Sequence, residues 1–262
     1  MTDLVLVEVA DRIATLTLNR PDARNALSGG LIRDMRAAVR AAHDDEQVDV
    51  IVLTGADPAF CAGLDLKELG AGSTTLTSTR PSEDTPVAER GPLPAGPKPI
   101  IGAVNGAAIT GGFELALACD FLVASERARF ADTHARVGIQ PWWGLTVLLP
   151  QAIGLRRARE LSATGNFLDA QRALEWGLVN HVVPHDDLLP FARGLAADIA
   201  SSDQRAVRQI YATYAEGSLV PAGEAWLVES DVAAAWQGQG LDPDEIERRR
   251  GQVTERGQGQ LG

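Results

Sequence analysis

The chain has 262 residues, 45% of them hydrophobic and 23% charged, with a net charge of −11. That apolar fraction is far too high for a disordered chain, and the length suits one large domain or a domain with an appendage. The acidic balance argues against a surface for nucleic acid or anionic membrane, so an anionic ligand must be held by a local basic cluster or by backbone N–H groups. Cys61 and Cys119 cannot build a disulfide framework, which points to a reducing cytoplasm. Met1-Thr2-Asp3-Leu4 lacks the basic-then-apolar pattern of a signal peptide, and no run approaches the roughly 20 apolar residues of a membrane span.

Val5 to Val9 and Ile13 to Leu18 flank Ala10-Asp11-Arg12 and read as a β-hairpin. Ser28 is a candidate N-cap for a helix to about His43, with Ile32, Met35, Val39 and Ala42 at helical spacing. Val48 to Leu53 is a nearly continuous apolar strand, so strand, helix and strand suggest a βαβ unit. Residues 70–99 change character. Six of the 14 prolines fall between Pro81 and Pro99, no apolar period survives, and the segment reads as a mobile surface stretch. Ile100 to Val104 is again a buried strand; Asn105-Gly106 turns the chain, Gly111-Gly112 opens a helix to about Cys119, and Phe121 to Ala124 is a strand. Beyond residue 144 the pattern is helical at 144–153, 156–164, 169–176, 187–200, 203–216, 222–237 and 243–250, with one strand at 179–183.

The chain has no dinucleotide fingerprint, no P-loop and no Gly-x-Ser-x-Gly elbow. His181 and His185 have a metal-like spacing, but a proline between them and the lack of a carboxylate at ligand spacing favour surface histidines. Both cysteines sit among apolar residues and read as small packing groups.

Two segments carry candidate chemistry. Pro58-Ala-Phe-Cys-Ala-Gly-Leu-Asp-Leu-Lys67 follows a buried strand, and Ile101 to Asp120 holds a strand, a glycine-rich turn and a helix start. Free N–H groups at Gly111 and Gly112 would lie at a helix N-terminus, where an anion is held without a basic side chain. Alternatively, these glycines only permit close strand–helix packing.

Taken together, the two segments resemble the crotonase superfamily of enoyl-CoA hydratases and isomerases. The resemblance begins at Asn19-Arg-Pro-Asp-Ala-Arg-Asn-Ala-Leu27 and includes Arg129-Phe-Ala131, Gly138-Ile-Gln-Pro141 and Leu168 to Val179. It implies an α/β fold, a spiral of ββα turns over 1–200, and a C-terminal helical region at 201–262 used in assembly as a homotrimer or a dimer of trimers. By motif position it puts an oxyanion hole on the N–H groups of Leu64 and Gly111, and the first hydratase acid on Glu114. The second acid falls on His134, a departure from the family pattern; a histidine can also move a proton near neutral pH, or it can be structural. Pro141-Trp-Trp-Gly-Leu145 also departs, and its indoles either narrow the acyl pocket or pack under residues 70–99. CoA, as part of the substrate and with no further cofactor, is placed against Ala62, Leu64, Asp65 and Leu66. Arg24 and Lys67 are candidate phosphate partners or solvated surface charges. The function implied is hydration of an enoyl-CoA. The alternatives are an isomerase or acyl-CoA hydrolase of the same family, or a non-catalytic acyl-CoA binding protein.

Overall fold

A computed structural model describes residues 3–65, 68, 89–218, 220 and 231. Val5–Ala10 (β1) and Ile13–Leu18 (β2) form the expected hairpin, paired antiparallel from Val5 opposite Leu18 to Ala10 opposite Ile13. Asp11 and Arg12 in its turn have φ of 51° and 64°, the left-handed pair that matches strand twist. Arg12 is tied by its guanidinium to the buried Asp49 carboxylate. Ser28 caps Gly29–Asp44 (α1), its hydroxyl accepting the Leu31 N–H at 3.1 Å, a bond worth about 1 kcal/mol to a helix.

From α1 onward the chain alternates between two sheets. Val50–Gly55 (β3) leads into Ala59–Cys61 (β4), Ile100–Val104 (β5) into Ala107–Ile109 (β6), and Phe121–Ser125 (β7) into Arg129–Ala131 (β8). Gly111–Leu117 (α2) follows β6, and His134–Val137 (α3) follows β8. The chain then runs through Leu145–Ile153 (α4), Leu155–Thr164 (α5), Leu168–Asp169 (β9), Ala170–Trp176 (α6), His181–Val183 (β10), Leu188–Ala200 (α7) and Gln204–Gly217 (α8). The larger sheet has the order β1-β2-β3-β5-β7-β10, parallel from β2 to β10, and the smaller has the order β4-β6-β8-β9. The turns through β5–β6 and β7–β8 therefore lay one long strand and one short strand before a helix, which is the expected ββα spiral.

The long strands read as continuous apolar runs because both of their faces are buried. In β3, Ile51 and Leu53 join the core against α1, while Val50 and Val52 join a second core with Leu188, Ala192 and Ala196 of α7. Each fully buried aliphatic side chain contributes roughly 1.5–3 kcal/mol.

Part of the stretch expected to be mobile is packed. Residues 70–88 lie outside the described residues, but Pro92, Leu93, Pro94, Lys98 and Pro99 are buried. The Lys98 ammonium donates to the carbonyls of Ala42 at 2.8 Å and Asp45 at 2.5 Å, capping the C-terminal end of α1. Proline-rich packing of this kind has no period to read. The chain divides into two compact units, Met1–Arg208 and Gln209–Gly262. Apart from residue 231, the helices expected at 222–237 and 243–250, together with Leu66 and Lys67, lie outside the described residues.

Candidate active site

Two glycines bring the two candidate segments together. Gly63 has φ of +93°, and a Cβ there would meet the Ile109 carbonyl at 2.7 Å; a Cβ at Gly112 would meet the Cys61 carbonyl at 2.0 Å. Only glycine permits this approach. Leu64 faces Leu27 in an isolated parallel bridge, in which the Leu27 N–H donates to Gly63 at 2.8 Å and the Asp65 N–H to Leu27 at 3.1 Å. The pairing commits the neighbours of Leu64 and turns its own N–H to the opposite side. There it meets Gly111, where a Cβ would lie 3.6 Å from the Leu64 nitrogen. Gly111 opens α2, so its N–H has no intrahelical acceptor. Among the described residues neither N–H donates a hydrogen bond.

One turn into α2, Glu114 is 3% exposed. Its Oε1 accepts the backbone N–H of Trp143 at 2.8 Å, and its Oε2 lies 3.6 Å from Nε2 of His134. That second distance is an ion pair rather than a hydrogen bond. On the other side of the imidazole, Nδ1 lies 2.7 Å from Oδ1 of Asp132, which also accepts the His134 backbone N–H at 3.2 Å. Burial lowers the pKa of His134, but its hydrogen bond to Asp132 and the charge of Glu114 outweigh it and raise the value to about 9. Burial raises that of Asp132, yet hydrogen bonds from His134 and Ser162 leave it below its ordinary value. The geometry therefore favours the protonated ring, set between two carboxyl groups on facing elements.

Beside them a cleft of about 400 Å³ is lined by Arg20, Ala62, Leu64, Asp65, Thr110 and Thr133, among others. Thr110 and Thr133 precede Gly111 and His134 in the chain, and their hydroxyls share a hydrogen bond at 2.5 Å. Glu114 and His134 are not on that wall; they are buried next to it.

Leu64, Gly111, Glu114 and His134 thus come together, and Ala62 and Asp65 join Leu64 along the cleft. Arg24 does not. It is exposed at φ of 50°, because the next residue, Asn25, is the one turned inward, donating to the carbonyls of Ala56 and Ala59 at 2.8 and 2.6 Å. Arg20 occupies the wall instead, 3.1 Å from the Asp65 carboxylate. The N–H groups of Ala62 and Asp65 are already committed to the carbonyls of Arg24 and Leu27. Neither Trp142 nor Trp143 lines the cleft; Trp143 is buried and serves Glu114 through its backbone. The sequence does not settle Asp132 as the partner of His134, since two residues apart in an irregular segment need not share a face, and it does not point to Arg20 as the basic group. His181 and His185 diverge, His181 packing edge-on against Phe191 and His185 bonding Asp57 and Ser125. Burial pushes the Cys61 thiol up to about 12, in keeping with a packing role.

A family model described as enoyl-CoA hydratase/isomerase matches residues 8–233. The chain belongs to that family. A probable peroxisomal enoyl-CoA hydratase of Arabidopsis thaliana is 40% identical over 245 residues, covering 94% of this chain and 90% of the relative. A crotonyl-CoA hydratase of Syntrophomonas wolfei is 35% identical over 230 residues, 87% of each chain. Among solved structures, an enoyl-CoA hydratase from Mycobacterium smegmatis is 47% identical with a TM-score of 0.75, covering 90% of this chain and 100% of the other. One from Bacillus anthracis is 32% identical with a TM-score of 0.83, covering 97% of each.

Proposed function

We propose that this member of the enoyl-CoA hydratase/isomerase family adds water across the 2,3-double bond of an enoyl-CoA thioester. The observation that carries the reading is the convergence of the Leu64 and Gly111 N–H groups beside a buried carboxylate–imidazolium pair. In this reading the two donors hold the thioester oxygen and stabilise the enolate as charge moves onto it; one such donor is typically worth roughly 2.7–4 kcal/mol of barrier. Glu114 takes a proton from water as its oxygen bonds to carbon 3, and His134 gives its Nε2 proton to carbon 2. The proton on Glu114 then returns to His134 across the 3.6 Å between them, and both groups are restored. The hydratase names of the A. thaliana and S. wolfei relatives support the same substrate class.

In the same reading CoA enters only as part of the substrate, and no separate cofactor takes part. It lies along Ala62, Leu64 and Asp65 and on toward Leu66 and Lys67, with Arg20 replacing Arg24 as the basic side chain at the cleft. We assign assembly as a homotrimer or a dimer of trimers to the region from residue 201, and a cytoplasmic setting to the protein. The buried, unpaired Cys61 and Cys119 support that setting, and no described helix is long and apolar enough to cross a membrane.

Mixing with crotonyl-CoA should bleach the conjugated enoyl absorbance and yield the 3-hydroxyacyl-CoA. Gly111 is the first residue of α2, the helical position where proline is best tolerated, and proline there removes the N–H. Gly111→Pro should lower turnover roughly 10²–10³-fold, while Leu64→Ala, which keeps its N–H, retains most of it. A folded Gly111→Pro variant with near wild-type turnover overturns the donor assignment. Release of free CoA or migration of the double bond, in place of hydration, moves the hydrolase or isomerase reading ahead. Binding without turnover leaves an acyl-CoA binding protein.

A further inference from the structure

The imidazole of His134 can face Glu114 in two chemically different ways. With Nδ1–H donated to Asp132, a neutral ring presents the lone pair of Nε2 to a carboxylate oxygen 3.6 Å away, which is repulsive. The imidazolium presents a donor to both carboxylates. Ring orientation and charge are therefore linked through whatever holds Nδ1.

Asp132 holds it twice, since one oxygen accepts both Nδ1 and the backbone N–H of the same residue. The residue is 2% exposed, and the Ser162 side chain of α5 favours its charged form. Asp132 directly follows β8, whose last residue, Ala131, pairs with Ile109 and accepts the Thr110 N–H at 2.9 Å. We propose that Asp132 is a positioning residue for the reaction: it locks the ring of His134 so that Nε2–H points at Glu114, and keeps that ring charged between turnovers. The inference rests on the hydratase reading for its consequence in catalysis, but not for the state of the ring itself. The simpler view is that Asp132 only shapes the backbone, its oxygen closing a turn onto the N–H two residues ahead.

Other charges near the ring do not supply this effect. Arg136 lies two residues along, exposed and bonded to the Thr164 carbonyl at 2.9 and 2.7 Å. The arginines and Glu160 of α5, Arg129 of β8 and Asp169 of β9 are exposed as well, and α4 carries no charged residue. Among the described residues only Glu114 and Asp132 face the imidazole from within the protein.

The test uses the full chain and the variants Asp132→Asn and Asp132→Glu. Asparagine keeps an oxygen for the turn but removes the charge; glutamate keeps the charge. The titration of the His134 ring is followed by proton NMR, assigned by its loss in His134→Ala, beside the pH profile of kcat. In Asp132→Asn the ring should titrate at least one pH unit lower, so that the charged fraction above the midpoint falls about tenfold. The descending limb of kcat should move with it, with KM little changed. Asp132→Glu should restore part of the shift; should the asparagine variant fail to fold, the ring titration of the glutamate variant against wild type decides the matter. An unmoved ring titration in a folded Asp132→Asn overturns the proposal and leaves the turn-closing role. A ring that shifts while the kcat profile stays put sustains the positioning of the ring and overturns the hydratase role given to His134.

Discussion

His134 and His185 each meet an aspartate, Asp132 at 2.7 Å and Asp57 at 3.0 Å, yet the side chain of Asp132 is 3% exposed and that of Asp57 is 61% exposed. The other ring nitrogen differs as well. For His134 it faces the Glu114 carboxylate, and for His185 it shares a 3.0 Å bond with the Ser125 hydroxyl, a neutral group. The second network joins corners of successive spiral turns: Asp57 follows β3, Asn105 follows β5 and donates to Asp57 at 2.9 Å, Ser125 ends β7, and His185 follows β10. It ties the turns of the fold together at its rim. The lesson is that an Asp–His pair makes a site only where burial and a second charge force the ring to carry a proton that it can give away; with one side in water, an exposed pair contributes about 0–1 kcal/mol and holds loops in place.

The largest effect that sharpens this contrast is at Glu114. Glu114→Gln keeps an oxygen for the Trp143 N–H and removes the base. We expect kcat to fall roughly 10²–10⁴-fold with KM little changed, read from steady-state rates on the best enoyl-CoA. An unchanged kcat would exclude Glu114 from the chemistry and make the buried network a staple like the other.

His134→Ala should cost at least about tenfold in kcat. The sequence alone suggests activity that varies near neutrality; the two carboxylates move that change upward, because the ring titrates near 9 rather than at its ordinary value. Wild-type activity should therefore hold through neutral pH and fall as the imidazolium is lost above about 9, a limb that the alanine variant lacks. Stability follows the same sign. A folded-state pKa raised from 6.5 to about 9 gives stabilisation that is whole below 6.5 and gone once pH passes about 9. The thermal midpoint of wild type should drop over that window more than that of His134→Ala. Parallel midpoints would mean that the ring is neutral in the folded protein.

How much of this is legible in the sequence differs between the two sheets. The strands of the larger sheet are continuous apolar runs such as Val50 to Leu53, and α1 shows its period and its cap. The smaller sheet is built from strands of two or three residues, among them Ala59–Cys61, Ala107–Ile109 and Arg129–Ala131, too short to display alternation. They are strands because each lies in register with the next turn of the spiral, which no local pattern encodes. The site behaves similarly. Leu64, Gly111, Glu114 and His134 were reached by resemblance to a family, and glycine close approach explains why the donors meet. Asp132 is not settled by the sequence because residues two apart share a face only in a strand, and the chain leaves β8 at Ala131. Arg24 and Arg20 were distinguished only by the left-handed turn at Arg24 and Asn25.

The smallest effect belongs to the rim network, and it is where the contrast is easiest to break. His185→Ala removes the acceptor or donor shared with Ser125 and frees one oxygen of Asp57. Ser125 is fully buried but still accepts the Arg127 N–H at 3.1 Å, and Asp57 still accepts from Asn105, so neither is left without a partner. The loss should be about 0.5–1.5 kcal/mol, the net worth of ordinary hydrogen bonds, seen as a lower midpoint in urea with an unchanged slope. Turnover should stay within about twofold of wild type, because no group of this network touches the cleft or the Glu114–His134 pair. Asp57→Asn, at an exposed position, should cost less still, about 0–1 kcal/mol. A tenfold loss of kcat in a folded His185→Ala variant would show that the two networks are coupled through the strands between them, and that the rim network is more than a staple.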